Sequence, residues 1–386
     1  MAPPIYLDHA ATTPVRPEVL EAMTPFFCSR FGNPSSVHRF GRDARTALDE
    51  ARSRIAACLN AQADEIVFTS GGTEGDNLAI IGPWRIRRGH GRNAVVTSPT
   101  EHKAVLEVVH QVAREGGEER LLPVDATGTI AVGAIHTIID DAVAVCSVMW
   151  INNESGVVQD VPAIGARARN VGALMHTDAV QAFGKLPIDM TAQPIDLLSL
   201  SGHKIGAPKG IGAMYIRRGT PFAPLFHGGS QDRGRRPGTE NVAFAVALAV
   251  AAEMQLAERE QECGRLCAMR DALQSAILAQ VPDAVVHGAG AVRAPHILNI
   301  SVPGTDSESL LMALDLAGIA ASGGSACQSG SVSPSHVLSA MGVPRELAGA
   351  AVRLSVGILS TDDDIRRVCE VFPSLVAKAR RLAGAA

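Results

Sequence analysis

Apolar and polar positions along the first two-thirds of the chain follow two alternating periods. Dense apolar runs occupy 66–69, 94–97, 143–150, 173–176, 197–200 and 212–216. Such runs are the mark of strands buried on both faces. Between them the spacing becomes helical. Leu48, Ala51, Arg52, Ile55 and Leu59 fall on one helix face. A second helical pattern opens at Thr73, behind Gly71-Gly72, and a third covers 101–114. Strands alternating with helices predict an α/β fold, with a mostly parallel sheet covered on both sides. No Gly or Pro interrupts the chain between Asn241 and Glu262. The segment from about 240 to 281 therefore reads as one long helix that leaves one domain and enters another. Beyond it, strands are predicted at 297–302, 319–321 and 352–356, and helices at 308–316 and 363–382. Together these form a smaller α+β unit.

Composition narrows the function classes. The chain has 386 residues, 46% hydrophobic and 19% charged, with a net charge of -4. This is a globular mix, not a disordered one. It excludes a strongly basic protein that coats nucleic acid. The longest apolar stretch, 242–252, is far short of the roughly 20 residues a membrane helix needs. Residues 1–17 show no secretory pattern. The seven cysteines are odd in number and form no CxxC pair. Cys263 and Cys267 share a helix face without a third ligand, so no metal site is expected. The thiols read as reduced and the protein as cytoplasmic.

Candidate chemistry sits where strands end. Lys204 closes Ser201-Gly202-His203-Lys204, just after the strand at 197–200. A partly desolvated lysine there can form a Schiff base with an aldehyde cofactor. Ser70-Gly71-Gly72-Thr73-Glu74 links a strand to a helix start, which makes a phosphate cup from free backbone N–H groups. In His176-Thr177-Asp178-Ala179-Val180-Gln181, Asp178 can hold a pyridinium N–H, the requirement for an electron-sink ring. Gln181, one turn on, can reach the ring's phenolic oxygen. His102, in Thr100-Glu101-His102, can stack on a flat ring and shuttle protons. Arg353, on the strand at 352–356, offers a donor fork that suits a substrate carboxylate. Each feature alone has an ordinary structural use: a solvated lysine, a helix cap, a loop histidine, a surface arginine. Phosphate loop, His, Asp, Lys and a second-domain Arg, in that order, instead describe one cofactor site. Cys327 lies among small residues in Ser322-Gly323-Gly324-Ser325-Ala326-Cys327-Gln328-Ser329-Gly330. That setting suits an accessible thiol on a mobile loop, and equally a small buried side chain.

The chain resembles the NifS/IscS-type cysteine desulfurases, pyridoxal phosphate (PLP) enzymes of fold type I in the class-V aminotransferase family. The motifs that carry the resemblance begin with Tyr6-Leu7-Asp8-His9-Ala10-Ala11-Thr12-Thr13-Pro14 and Phe31-Gly32-Asn33-Pro34-Ser35-Ser36. They continue through 70–77, Thr100-Glu101-His102, Asn152-Asn153-Glu154-Ser155-Gly156, 176–181 and 201–204. Arg236-Pro237-Gly238-Thr239-Glu240-Asn241, Gly324-Ser325-Ala326-Cys327 and Arg353-Leu354-Ser355 complete the set. Nearly the whole chain is covered.

The resemblance implies a large PLP-binding domain over 17–258, with a mostly parallel seven-stranded sheet flanked by helices. It implies a smaller α+β domain from 1–16 and 259–386 that carries the Cys327 loop. It makes Lys204 the Schiff-base lysine, Asp178 the partner of the pyridine nitrogen, Gln181 that of the ring oxygen, and His102 the stacking ring. Gly72, Thr73, Ser201 and His203 would bind the phosphate. Thr239 would reach the phosphate of a second subunit in a homodimer. Asn153 and Arg353 would hold the carboxylate of L-cysteine. Cys327 would take the sulfur as a persulfide, leave L-alanine, and pass the sulfur to an acceptor protein.

That acceptor would be an iron–sulfur scaffold or an enzyme of bacterial DNA phosphorothioation, whose dedicated desulfurase the chain also resembles. Direct nucleic-acid or membrane binding is not expected. The basic run Arg233-Gly234-Arg235-Arg236 is assigned to the cofactor mouth near the dimer interface. Several positions depart from the family pattern: Ser155, Gly228-Gly229-Ser230-Gln231-Asp232, Pro237 and Gln328. None removes a catalytic group, but they bear on loop mobility and partner choice. Competing readings are a selenocysteine lyase, another PLP lyase or aminotransferase of the same fold, and a non-catalytic sulfur-relay scaffold.

Overall fold

A computed structural model describes residues 3–323 and 334–384. Cys327, Gln328 and the expected mobile loop around them lie outside the described residues. Among the described residues twelve strands run in chain order: β1 (Ile5–Tyr6), β2 (Ile66–Thr69), β3 (Ala94–Thr97), β4 (Glu118–Leu121), β5 (Val143–Ser147), β6 (Leu174–Asp178), β7 (Leu197–Ser201), β8 (Gly212–Ile216), β9 (Val285–Val286), β10 (Ile297–Ser301), β11 (Ile319–Ala320) and β12 (Ala351–Ser355).

Seven of them form the main sheet in the order β2-β8-β7-β6-β5-β3-β4. β8 is antiparallel to both its neighbours, and every other pairing is parallel. β2 therefore runs the same way as β7, and the carboxyl ends of β2, β3, β5, β6 and β7 share one edge. In open α/β sheets ligands gather at that edge.

Helices cover both faces. On β3, Ala94 and Val96 face one core and Val95 faces the other, as the two-residue period of a strand requires. On the first face the helices Arg39–Cys58 and Val242–Ala257 pack together. On the second lie the helices Gly72–Arg87 and Lys103–Arg114. A separate core joins β10 and β12 to the helices Arg259–Gln280, Ser307–Leu316 and Asp362–Leu382, together with Ile5 and Leu7 from the amino terminus. β1 runs parallel to β11, and Ser355 N–H donates to the Leu7 carbonyl.

Three sequence expectations need correction. The run 143–150 is a strand only to Ser147. Val148 N–H and Trp150 N–H then donate to His176 O and Asp178 O, so the chain follows β6 outward beyond the β5 ladder. The helix expected from residue 101 begins at Lys103. His102 is its N-cap, with Nδ1 accepting from Ala104 N–H at 3.1 Å. The single helix expected over 240–281 is two, Val242–Ala257 and Arg259–Gln280, broken at Glu258. The Glu258 carboxylate there is paired with Arg16 from the amino-terminal segment. A contact 242 residues away leaves no mark on local periodicity. β4 also escaped the sequence reading. It is a polar edge strand, paired only through β3, and shows no apolar run.

Candidate active site

The shared strand edge opens into a cavity of about 290 Å³. Gly72 and Thr73 reach it from the end of β2, His102 from β3, Asn153 from the extension of β5, Asp178 and Gln181 from β6, and Ser201, His203 and Lys204 from β7. Arg353 reaches it from β12, in the second core. Ten sequence-predicted residues thus line one space. Thr239 does not line it; it lies exposed before the helix Val242–Ala257. The segment that carries Thr239 is tied to the cavity by Arg236, whose Nε donates to Glu74 Oε1 at 2.9 Å in the first turn of the helix Gly72–Arg87.

The cup at that helix start is built for an anion. Gly71 precedes the helix at φ +155°, and no side chain caps it. A Cβ added at Gly72 would lie 2.7 Å from Val180 Cγ2, so the backbone approach there needs glycine. The first N–H groups of a 16-residue helix are thereby left to face the cavity. His203 stands beside them, its Nδ1 3.1 Å from Thr12 Oγ1. Burial, with Lys204 and Lys209 adding, lowers its pKa to about 4, so it is neutral at pH 7.

Asp178 ends β6 and is almost fully buried. Its Oδ1 accepts from Val180 N–H at 2.8 Å. Burial raises its pKa, and His102 and Lys204 oppose the rise. A cationic N–H set against it would stabilise the carboxylate further. Burial lowers the pKa of His102, while Asp178 opposes and Lys204 and His336 reinforce the shift. The ring is therefore neutral, with its proton on Nε2, because Nδ1 accepts from the backbone. Lys204 Nζ donates to the carbonyls of Ala10 and, at 2.8 Å, Ala11. The donor set matches a pyridoxal phosphate: an amide cup and hydroxyls for phosphate, a carboxyl for a ring N–H, a flat imidazole and an amine. The cup that a Cβ would fill supports the same fit.

Arg353 is 1% exposed. Nη2 donates to Asp8 Oδ1 at 2.8 Å and Nη1 to the Asn153 carbonyl at 2.7 Å, while buried Nε has no partner among the described residues. Asn153 thus orients the guanidinium through its backbone, a role its side-chain chemistry does not announce. Sequence reasoning also assigned nothing to Asp8, Glu154, His336 or Asp76. Glu154 and His336 line the cavity. Ser335 Oγ donates to Glu154 Oε2, and His336 Nε2 donates to the Glu101 carbonyl at 2.9 Å. Asp8 and Glu154 stood in quoted motifs, which was the available signal. The contacts themselves were not legible.

Beneath the cavity Glu101 is fully buried, and both its carboxylate oxygens accept from Met149 N–H at 2.9 Å. Burial raises its pKa well above the ordinary 4.5, and Asp178 adds to the rise. The folded protein then holds a proton that the unfolded chain has released, so this group weakens folding as pH climbs from about 4.5 toward its folded pKa. Glu101→Gln keeps one acceptor for Met149 and removes that dependence. Thermal unfolding from pH 4.5 to 8 is expected to fall less steeply in the variant than in the wild type. Equal slopes would show that Glu101 is ionised in the fold.

A model of the family described as aminotransferase class-V matches residues 5–368. The chain belongs to that family, among its cysteine desulfurases. A cysteine desulfurase of Gluconacetobacter diazotrophicus is 45% identical over 380 residues, covering 98% of this chain and 94% of the relative. A solved NifS-like protein superposes with a TM-score of 0.91 at 32% identity, covering 97% of this chain and 99% of that one. The crystal structure of DndA from Streptomyces lividans superposes with a TM-score of 0.78 at 37% identity, covering 91% and 99%. The enzyme is PLP-dependent and takes sulfur from L-cysteine, leaving alanine. Its fold is the expected one, a mostly parallel seven-stranded sheet flanked by helices. Among the described residues no helix is long and apolar enough to cross a membrane, and no cluster of His, Cys, Asp or Glu is placed to hold a metal ion.

Proposed function

We propose that the enzyme moves the sulfur of L-cysteine onto Cys327 as a persulfide and delivers it from there to an acceptor protein. The observation that carries this reading is the gathering of nine residues from five strand ends, and Arg353 from the middle of β12, into one cavity. Gly72, Thr73, Ser201 and His203 would hold the phosphate, Asp178 would accept from the ring N–H, Gln181 would donate to the ring oxygen, and His102 would stack on the ring. Bound there, PLP supplies an electron sink beside the substrate α-carbon. Arg353 and Asn153 hold the substrate carboxylate, Arg353 through the N–H donors that Asp8 and the Asn153 carbonyl leave over. Lys204 or His102 takes the α-proton and returns it to carbon. The neutral His102 ring is suited to that exchange. The Cys327 thiol gives up its proton and its thiolate attacks the substrate sulfur; an S–S bond forms as the Cβ–S bond breaks, Cβ takes up a proton, and alanine leaves.

The active unit we propose is a homodimer in which Thr239 completes the phosphate site of the second copy. Phe31, Val37 and Phe40 are exposed apolar side chains on the segment that packs beside 230–240, which supports a covered face there. The likeness to both NifS-type relatives and DndA is consistent with an iron–sulfur scaffold or a phosphorothioation enzyme as acceptor. A protein in the cytoplasm fits either.

Sulfur-labelled L-cysteine tests the scheme. Label is expected on the peptide containing Cys327, removable by thiol reductant, with one alanine released per sulfur. Cys327→Ser is expected to carry no label. In lysate from the source organism, the first other protein to acquire label identifies the acceptor. Equal alanine release by both proteins, with no protein labelled, would refute the persulfide step. Preferential turnover of selenocysteine would favour a lyase instead.

A further inference from the structure

A second, smaller cavity of about 40 Å³ lies behind the first and shares Val180, Gln181 and Lys204 with it. His9, Lys185 and His296 are among its other walls. Its volume and lining suit an ordered water. His296 is 5% exposed and precedes β10 in the second core. Its Nε2 lies 3.2 Å from Gln181 Oε1, and its Nδ1 has no partner among the described residues. Gln181 Nε2 donates to the Ala10 carbonyl at 2.8 Å, the same carbonyl that accepts from Lys204 Nζ.

Donor and acceptor roles follow from chemistry. An amide oxygen only accepts, so His296 carries its proton on Nε2. Burial, with Lys185, His9, Arg353 and Lys204, opposes a second proton on the ring, while Arg16 and Glu262 also line the cavity that His296 faces. Neutral His296 therefore has a single N–H, already committed to Gln181. With its oxygen held by His296 and its nitrogen by Ala10, the Gln181 amide cannot turn over without losing both bonds. Its remaining N–H belongs to the cofactor cavity, which Gln181 also lines.

We propose that His296 is a positioning residue. It locks the Gln181 amide so that an N–H donor, and never the carbonyl, meets the oxygen of the cofactor ring. This rests on the reading that Gln181 faces that oxygen. A donor there favours the anionic oxygen, whereas a turned amide would set two acceptors against each other.

The test is the pH titration of the visible absorbance of the holoenzyme. His296→Leu is expected to raise the midpoint by about one pH unit, a tenfold change in the proton equilibrium. His296→Gln, whose amide N–H can take the place of Nε2–H, is expected to restore it. Gln181→Leu is expected to raise the midpoint at least as far as His296→Leu. A wild-type midpoint in His296→Leu beside a shifted one in Gln181→Leu would overturn the role of His296 alone. An unmoved midpoint in Gln181→Leu would overturn the reading of Gln181 itself. Neutron diffraction from deuterium-exchanged wild-type holoenzyme decides the same point even where a variant does not fold. Deuterium is expected on His296 Nε2, with Gln181 oxygen toward it. Deuterium on Nδ1 alone, or a reversed amide, would overturn the proposal.

Discussion

Lys204→Ala is expected to lower alanine formation from L-cysteine by about 10² to 10⁴, the range lost when a positioned proton-transfer group is removed. The amine has two tasks in one place. In the proposed scheme it bonds the aldehyde of the cofactor and moves the α-proton, and it stands in the same cavity as His102 and Asp178. Its position is set by β7, which ends one residue before the turn Gly202–Lys204, and by the Ala10 and Ala11 carbonyls that accept from Nζ. The fold should survive the change. Ala10 O keeps its bond from Gln181, and the loss of a hydrogen bond at Ala11 costs about 1 kcal/mol. Turnover and borohydride-trapped attachment of the cofactor would be measured together. A variant that keeps more than about a tenth of wild-type turnover would remove Lys204 from the chemistry.

Arg353→Leu is the second large effect. Here binding and stability separate. The guanidinium holds Asp8 and the Asn153 carbonyl with two of its five N–H donors, and the others remain for a substrate carboxylate. Loss of a buried, hydrogen-bonded charge is expected to raise KM for L-cysteine about 100-fold, close to 3 kcal/mol, with a smaller change in kcat. The Asp8 carboxylate then lacks its counter-charge, which costs stability by about 3–5 kcal/mol if it stays ionised. Asp8→Asn in the same chain should recover much of that stability and none of the affinity. Arg353→Lys should not restore KM, because an ammonium lacks the planar fork that meets Asp8 and the backbone together. A KM within about threefold of wild type in Arg353→Leu would place substrate recognition elsewhere.

What could be read in advance, and what could not, divides by the range of the interaction. Gly71-Gly72, Asp178 and Lys204 were legible because each follows an apolar strand and opens a turn, so a local pattern places it at the sheet edge. β4 was not legible, because a polar edge strand paired through one neighbour is held by the ladder and not by burial. The break at Glu258 was not legible either, since helix propensity is unbroken across it and its partner Arg16 comes from the far end of the chain. Thr239 was placed by resemblance, and its position on an exposed segment agrees with the homodimer proposed above without testing it.

By itself the sequence determined that strands alternate with helices, β4 apart, and that Gly72, His102, Asp178 and Lys204 stand where strands end. Both follow from hydrophobic period and from the turn residues that interrupt it. Tertiary structure alone decided how those groups are oriented. Asp8 meets Arg353 across 345 residues, His336 meets Glu101 across 235, and His296 meets Gln181 across 115. No periodicity encodes such pairs. They exist because the second core, and the small separate cluster that carries the helix His336–Ala340, set β10, β12 and that helix against the open edge of the sheet. There, burial demands that each polar group find a partner.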